Sequence, residues 1–455
     1  MQSSFLQRGW QRNMNTYIVN NVGKQNKVLI GMIILFSALL GIRDIGEIAV
    51  TKYIFVILAS GFFLAMKPET LIASLCFFMP LFNGLPGNYI IFLWIIIFTI
   101  RTKIVKKRVM VLFIVYVLAE MVSNIGLTES SIVDILSYLA CLYLLFLMLH
   151  EESSRLDRIK CLECYFFGVF LFCIITLFST LAYAPSNWLE LFSKGWYRFG
   201  SLVGVNTMHI GTNANELAYY ALVGFCVGLV LITIETTNMM KRYILFAMDL
   251  SIVLIGALST SRSYILILTL IVCLYFLISK KSVKGILVIG AAIVLIVGVI
   301  SYINFAYPEF LEGFTARFTD SSTMSTGGGR TTLLHDYWNA FFSKLRFIFL
   351  GTGVVGYKEA TGLYHATHNM LQQIIMCYGI PLGIVFLLVL LRPIIKYFRR
   401  INSKVLVLPI VAVVLFTQTI QFLNPWSLML HFIIGIFAMQ IEVLPYSGKI
   451  LMDRK

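Results

Sequence analysis

Apolar runs of membrane-spanning length recur along the whole sequence. Residues 161–184, for example, read CLECYFFGVFLFCIITLFSTLAYA and contain one charged side chain. A run of roughly 17–25 apolar residues is long enough to cross about 30 Å of hydrocarbon as a helix. Because the runs are continuous rather than alternating, and because a helix satisfies its own backbone hydrogen bonds in lipid, they predict transmembrane α-helices.

The composition favours the same class of protein. Hydrophobic residues make up 59% of the chain and charged residues 13%, whereas soluble domains carry about 25% charged residues. We therefore expect an all-α fold, a polytopic integral membrane helical bundle of about 12–14 transmembrane helices. The candidate spans are residues 28–42, 48–66, 71–83, 88–100, 109–127, 131–149, 161–184, 214–235, 243–259, 264–279, 285–303, 369–391, 405–423 and 427–443. The short pair 71–83 and 88–100, joined by NGLPGN, either crosses the membrane or forms a re-entrant hairpin.

Lysine and arginine runs predict the orientation of the chain. The runs at 101–108, 280–284 and 392–404 are expected in the cytoplasm, because positive charge is retained on that side of a membrane. Both termini then face the cytoplasm, and the polar, basic residues 1–27 do not resemble a cleavable signal peptide. The net charge of +15 is read as this topology signal and as attraction to anionic lipid, with no nucleic-acid partner.

The predicted topology divides the chain into five parts and places two long segments on the outer side. One is the loop 185–213 and the other is the large loop 304–368, in which residues 331–347 read as an amphipathic helix. That helix is interpreted either as a structural lid or as a segment lying on the outer leaflet over a cavity. The parts are a cytoplasmic arm 1–27, helices 28–303, the large outer loop 304–368, helices 369–443 and a cytoplasmic tail 444–455.

Arginines on the predicted outer side depart from the usual charge distribution. They are Arg198 in GWYRFG, Arg262 in STSRSY, Arg317, and Arg330 in GGGRTT. Each is open to two interpretations, a side chain that snorkels to the headgroups or a guanidinium fork that binds phosphate oxygens. Several on one face would stabilise the growing charge of a diphosphate leaving group.

Histidines follow the same asymmetry, since His209, His335, His365 and His368 all map to the predicted outer side. His368 is the best placed, beside Asn369 at the start of a span, where a neutral imidazole can take a proton from a hydroxyl. Polar residues at the start of another span, Asn213, Asn215 and Glu216, are either helix caps or part of the same site.

Other polar residues give weaker signals. The carboxylates Glu120, Asp134 and Asp249 fall within spans, where such groups are either functional or paired with a neighbouring helix. Cys161 and Cys164 have metal-ligand spacing, but no second pair completes a site, so no metal is expected. No nucleotide-binding fingerprint is evident.

Four patches resemble the O-antigen polymerase and O-antigen ligase superfamily of polysaccharide-assembly membrane proteins. They occur in order as WYRFGSLVG…NAN (196–215), STSRSYILI (259–267), GRTTLLHDYWNAF…LGTGVVGY (329–357) and HNMLQQIIMCYGIPLG (368–383). Two features depart from the family pattern. The arginine segments do not repeat the spacing to glycine seen after His368, and the turn from Gly379 to Gly383 is one residue longer than the commoner form.

The resemblance implies transfer of a glycan from undecaprenyl diphosphate to an acceptor hydroxyl, at the outer face of the bacterial inner (cytoplasmic) membrane. Neither a nucleotide sugar, a metal nor a cofactor is implied. It assigns diphosphate binding to Arg262 and Arg330 and activation of the acceptor hydroxyl to His368. The remaining candidates are substrate-binding residues, namely Arg198, Arg317, His365, Asn369, Asn215 and Glu216.

The acceptor distinguishes the members of this superfamily. A polymerase uses a second lipid-linked repeat unit, as in capsule, exopolysaccharide or O-antigen growth, whereas a ligase uses a lipid A core or a protein. We favour a polymerase, because no acceptor-recognition domain is appended. Expected partners are lipid-linked oligosaccharide, membrane lipid and other polysaccharide-assembly proteins. The contrasting class is a non-enzymatic flippase, which predicts charged residues buried along the membrane midplane.

Overall fold

The structure is a computed structural model of the 455-residue chain. It describes residues 2–102, 107–125, 131–150, 156–194, 196–202, 209–235, 238–278, 312, 330–363, 365, 367–423 and 428–441, with the backbone alone for 2–22 and 330. Across these ranges the regular structure is helical and contains no strand. The candidate span 285–303 and the predicted site residue Arg317 lie outside the described residues.

The structure describes seventeen α-helices, and we number them in chain order. They are α1 Gln2–Asp44, α2 Lys52–Ala65, α3 Pro68–Phe78, α4 Gly87–Thr102, α5 Lys107–Ser123, α6 Ile132–Leu149, α7 Arg158–Ala182, α8 Trp188–Ser193, α9 Ala214–Ile234, α10 Met239–Leu258, α11 Arg262–Ile278, α12 Arg330–Phe342, α13 Leu345–Leu350, α14 Tyr357–Thr361, α15 Met370–Phe398, α16 Leu408–Phe416 and α17 His431–Met439, with 3₁₀ turns at Met79–Gly84, Lys404–Val407 and Leu428–Leu430.

Among the described residues, five helices (α1 from Gly23, α6, α7, α9 and α15) are long and apolar enough to cross a membrane. Helices α2, α4 and α11, and α16 and α17 together with the 3₁₀ turns before them, are apolar but shorter.

Contacts between the helix termini define two ends of the bundle. At one end, which we call the basic end, Lys241 binds Glu163 at 2.6 Å and the guanidinium of Arg101 donates to the carbonyls of Leu64 and Met66. At the opposite end, which we call the loop end, lie the described residues of 183–213 and of 330–369. Polar side chains at both ends and apolar ones between them are the pattern that a bilayer selects.

The pair 71–83 and 88–100 connects these two ends. Lys67, just before α3, donates its backbone N–H to Gln25 near the basic end, at 2.8 Å. The 3₁₀ turn that follows α3 carries Asn83, whose amide donates to Glu216 at the loop end. Helix α4 then returns to Arg101 at the basic end. Because one continuous segment joins the two ends, this pair runs through the bundle rather than turning back within it.

Helices α7 and α9 form the centre of the bundle. The hydroxyl of Tyr165 in α7 shares a hydrogen bond of 2.7 Å with Nδ1 of His431 in α17. The rings of Tyr219 and Tyr220 in α9 lie 5.3 and 4.8 Å from the same imidazole. At the periphery, by contrast, Leu277 is 78% exposed, as expected for a helix face that contacts lipid.

Helix α15 is broken at Gly379, which has a φ of +69°. A Cβ at this position would lie 2.6 Å from the carbonyl carbon of Phe349, so a larger residue is excluded. Backbone N–H groups of Thr352 and Gly353 donate to the carbonyls of Met376 and Cys377, at 2.9 and 3.0 Å. These bonds satisfy carbonyls that the break leaves without helical partners, which is the condition for non-helical backbone inside a membrane protein.

Two predicted helices differ from those observed. The predicted amphipathic helix 331–347 is two helices, α12 and α13. The buried side chains of this segment are Tyr337, Phe341 and Phe347, whereas Leu345 is 74% exposed. The predicted span 405–423 ends at Phe416. The buried side chain of Gln373 holds the backbone beyond it, by accepting from the N–H groups of residues 422 and 423 at 2.9 and 2.8 Å.

Candidate functional site

The loop end contains two groups of polar side chains. The first, which we call the arginine cluster, consists of Arg198, Asn215, Glu216, Asn83 and the turn 259–262. Nε of Arg198 donates to the carbonyl of Ser259 at 2.9 Å, and its Nη2 donates to Oδ1 of Asn215 at 3.3 Å. The guanidinium therefore joins the loop after α8 to the start of α9 and to the α10–α11 turn.

The α10–α11 turn fixes the place of Arg262. Ser259, Thr260 and Ser261 are buried, and Thr260 has a φ of +48°, a left-handed conformation that is uncommon for a β-branched residue. Helix α11 begins at Arg262, whose side chain is half-buried. Two of the predicted phosphate-binding arginines, Arg198 and Arg262, thus belong to one cluster.

Glu216 is held by amide side chains. Asn213 caps α9 by accepting from the backbone N–H of Asn215 at 3.0 Å, and its amide lies 3.4 Å from Oε1 of Glu216. The amide of Asn83 donates to the other carboxylate oxygen and lies 3.4 Å from the hydroxyl of Tyr220. Sequence reasoning missed Asn83, since only the polar character of the NGLPGN turn marked it.

The second group, which we call the His368 cavity, lies between α12 and the start of α15. It encloses about 230 Å³ and is lined by His368 together with polar and leucine side chains. Asn369 caps α15 by accepting from the backbone N–H of Gln372 at 2.9 Å. The amide of Gln372 donates to the carbonyl of Leu334 in α12 at 2.8 Å, which fixes the two walls of the cavity relative to each other.

The other predicted residues of this region contribute less directly. The side chain of His365 is exposed, and its carbonyl accepts from the hydroxyl of Tyr337 in α12. Burial raises the pKa of Tyr337 well above its ordinary value, so this hydroxyl stays a neutral donor. Arg330 is the first residue of α12, immediately before Thr331 in the cavity wall.

The segment after α16 contacts the His368 cavity. The backbone N–H of Met370, at the start of α15, donates to the carbonyl of Thr417 at 3.0 Å, and Gln418 lines the His368 cavity. The ring of Phe416 in α16 lies 5.6 Å from that of Tyr219 in α9. The end of α16 therefore contacts both α9, whose first turn carries Asn215 and Glu216, and the start of α15.

A buried ion cluster at the end of α1 was not anticipated. The carboxylate of Asp44 accepts from Arg43 at 2.5 and 2.9 Å and from the backbone N–H of Ile210 at 3.3 Å, and it lies 3.2 Å from Nδ1 of His209. Burial lowers the pKa of His209, and the charge of Asp44 opposes that shift. The available signal was the pair Arg43-Asp44 directly after an apolar run, which could have been matched to His209 only with the fold in hand.

The intramembrane carboxylates differ in what surrounds them. Glu120 in α5 is fully buried and accepts from the backbone N–H of Val354 at 2.8 and 3.0 Å and from that of Val355 at 3.0 Å. It thereby fixes the loop that packs against the break in α15. Asp249 is 3% exposed, and a Cβ at Gly228 would lie 2.2 Å from its Oδ1. Asp134 is half-buried in the first turn of α6.

Comparison with known proteins adds no assignment. Within the part of the chain that the structure describes, no group of three His, Cys, Asp or Glu side chains is placed to hold a metal ion. No family model matches the sequence, and no curated protein matches it. The likeness to polysaccharide polymerases and ligases therefore depends on the four sequence patches.

Proposed function

We propose that this membrane protein is a glycosyltransferase that uses a polyprenyl-diphosphate-linked donor. The observation that carries the proposal is the collection of Arg198, the Arg262 turn and the His368 cavity at one end of an apolar bundle. The substrate of such an enzyme has a lipid chain and a charged, polar head group. It needs phosphate-binding groups and a proton acceptor that lie beside a lipid-facing surface. The outer face of the bacterial cytoplasmic membrane is the proposed location of this end.

The reaction follows from the residue types. The oxygen of an acceptor hydroxyl attacks the anomeric carbon of the donor glycan and forms the new glycosidic bond. The bond from that carbon to the diphosphate oxygen breaks, and undecaprenyl diphosphate leaves with the electron pair. His368 takes the proton of the hydroxyl, while Arg262, Arg198 and Arg330 stabilise the charge that develops on the diphosphate.

Lipid access supports a lipid-linked substrate. Helix α12, which borders the His368 cavity, exposes Phe342 at 60%, and α13, which follows it, exposes Phe349 at 60%. Such apolar side chains are expected to face acyl chains, which brings the polyprenyl chain close to the cavity. We favour a second lipid-linked repeat unit as the acceptor, as in a polymerase of capsule, exopolysaccharide or O-antigen, over the lipid A core or protein acceptor of a ligase.

The test is reconstitution of the purified protein in liposomes with lipid-linked repeat units, followed by gel analysis of the glycans. A ladder of products is expected from the wild type, with none from His368→Ala or Arg262→Ala. His335→Ala is the matched control, since this histidine has an exposed side chain and does not line the cavity. An absence of any new glycosidic bond under conditions in which the protein remains folded would contradict the proposal.

A second function is favoured by a different set of residues. Asp249 and His431 are buried within the bundle, and α15 is interrupted at Gly379. Broken helices and buried ionisable groups are features of transporters that move their substrate past a site inside the membrane. Translocation of a fluorescent lipid-linked oligosaccharide, measured by quenching from one side of the liposome, would favour this flippase function if it occurred without glycan transfer.

A further inference from the structure

The lining of the His368 cavity is polar but carries few charges. Apart from His368, its polar side chains end in hydroxyl or amide groups, those of Thr331, Thr367, Asn369, Gln372 and Gln418. Leu333 and Leu334 supply the apolar part of the wall. Among the described lining residues there is no Asp, Glu, Lys or Arg. An uncharged polar lining beside a small apolar surface suits a neutral ligand that has several hydroxyl groups.

The amides of the lining are only partly used by the protein. Gln372 donates from Nε2 to the carbonyl of Leu334, and Gln418 donates from Nε2 to the carbonyl of Val414 at 3.1 Å. Asn369 accepts through Oδ1. Within the described part of the chain, these bonds leave two amide oxygens as acceptors and one NH₂ group as a donor. A sugar hydroxyl both donates and accepts, so such a mixed set is the complement it requires.

Thr367 gives an independent reason to expect a ligand. Its residue is 2% exposed, and its hydroxyl oxygen has no hydrogen-bond partner among the residues that the structure describes. Buried hydroxyl groups are normally satisfied, because leaving one without a partner is unfavourable. The hydroxyl lies in the cavity wall beside His368 and Asn369, where a bound hydroxyl group would complete it.

The volume limits the size of that ligand. The cavity encloses about 230 Å³, which is below the roughly 300–1,000 Å³ of pockets that hold drug-sized molecules. We propose that the His368 cavity binds a single uncharged sugar ring, the terminal unit of the acceptor, through Thr367, Asn369, Gln372 and Gln418. Leu333 and Leu334 contact the C–H face of the ring. The identification of this ring as part of the acceptor rests on the proposed glycosyltransferase function.

Saturation-transfer NMR on the full-length protein in lipid nanodiscs tests the binding directly. The probes are methyl glycosides of neutral hexoses and of N-acetylhexosamines, each compared with the methyl glycoside of the matching uronic acid. We expect at least one neutral glycoside to bind, and the corresponding uronic acid to bind about tenfold more weakly or not at all. The proposal is overturned if no neutral glycoside binds, or if the uronic acid binds as well as the neutral sugar.

Two variants locate the binding in the cavity. Thr367→Val keeps the shape of the side chain and removes its hydroxyl, so it is expected to weaken binding about tenfold. Gln418→Leu provides a second test if Thr367→Val does not fold. The matched control is Thr361→Val, because Thr361 donates to Tyr357 at 2.7 Å and is not part of the cavity lining. Unchanged binding by both cavity variants contradicts the proposal.

These outcomes separate the cavity from the reaction. Binding of a neutral glycoside that Thr367→Val weakens, in a protein that forms no glycosidic bond, would leave the sugar site standing and reject the glycosyltransferase. If instead the protein forms product and Thr367→Val keeps the wild-type Michaelis constant for the acceptor, the glycosyltransferase would stand and the sugar site would be rejected.

Discussion

The arginine cluster and the His368 cavity lie at the same end of the bundle but use their polar groups differently. In the arginine cluster the side chains bind one another, as Arg198 binds Asn215 and Asn83 binds Glu216. Around His368 the side chains of Asn369 and Gln372 bind backbone instead, and about 230 Å³ stays unfilled. The comparison indicates that the first group is built to hold its own geometry and the second to receive a ligand.

This difference predicts how each group responds to mutation. In the cavity, the described residues that hold other elements in place are Asn369 and Gln372, which cap α15 and join it to α12. Truncation of His368 is therefore expected to have little effect on folding. A residue of the arginine cluster supports its neighbours, so truncation is expected to change stability and activity together. The following predictions test that contrast, beginning with the largest expected effect.

His368→Ala is expected to lower the rate of glycan transfer by about 10²–10⁴-fold, the usual contribution of a general base. The unfolding temperature should stay close to that of the wild type, since the imidazole is half-buried at the edge of a cavity. Initial rates from gel ladders, with thermal unfolding in detergent, measure both quantities. An equal loss of rate in the His335→Ala control would contradict the assignment of the base to His368.

Arg198→Ala is expected to lower the rate by about 10²-fold, as removal of a charged donor at a developing anion does. Because Arg198 also binds Ser259 and Asn215, the unfolding temperature should fall as well. Arg198→Lys should restore little of the rate. The single ammonium nitrogen of lysine cannot contact both Ser259 and Asn215, as Nε and Nη2 of arginine do.

A double-mutant cycle with Asn215→Ala sharpens this prediction. If Arg198 and Asn215 act as one unit, the double variant should be no slower than Arg198→Ala alone. Additive losses would show that the two side chains contribute separately. The mutual dependence of side chains that distinguishes the arginine cluster from the His368 cavity would then be contradicted.

Glu120→Ala is expected to lower the free energy of unfolding by about 2–4 kcal/mol, because it removes the acceptor of the buried N–H group of Val354 and of the half-buried N–H group of Val355. The affected loop packs against the break in α15, so the acceptor Michaelis constant should rise while the donor constant changes little. Glu120→Gln keeps one carbonyl oxygen and should lose about half as much. Glu190→Ala is the matched control, since the pair of Glu190 with Lys194 is exposed and its loss should leave stability unchanged.

The sequence was sufficient for the helical membrane fold, because continuous apolar runs have few other solutions. It did not reveal where helices stop inside the bundle. The predicted span 369–391 runs without interruption through GIPLG, where the structure breaks α15 at Gly379. The partner of the break, Phe349 to Gly353, is separated from it by the chain around His365. Likewise α16 ends at Phe416 because Gln373 binds backbone beyond it, a contact between distant residues that no local pattern encodes.

The site residues were predicted as individuals and not as groups. The charge asymmetry of the chain marked Arg198, Arg262 and His368, and the structure adds the pairing of Arg198 with Asn215. Asn83 meets Glu216 across 133 positions of sequence, so its role could not be inferred from spacing. Thr367 was overlooked because an isolated hydroxyl next to two histidines carries no pattern of its own.

The smallest expected effect concerns His209. This residue lies in the loop before α9, and its imidazole contacts Asp44 at the end of α1. Burial lowers the pKa of His209 from its ordinary value, so the folded protein takes up a proton there less readily than the unfolded chain. The unfolded state then binds more protons as the pH falls below about 6.5. Stability contributed by the neutral imidazole is therefore present above that pH and is lost as the pH decreases toward the lowered folded-state pKa.

His209→Gln should flatten this pH dependence, since glutamine keeps a polar side chain without a titrating group. The measurement is the unfolding temperature of wild type and variant between pH 7.5 and pH 5.5, where the wild type should lose more. Asp44 opposes the effect and Arg43 reinforces it, so Asp44→Asn should steepen the wild-type dependence. If the wild type instead became more stable on acidification, the contact between His209 and Asp44 would be an ion pair that favours protonation, and α1 would clamp the loop of the arginine cluster most strongly at low pH.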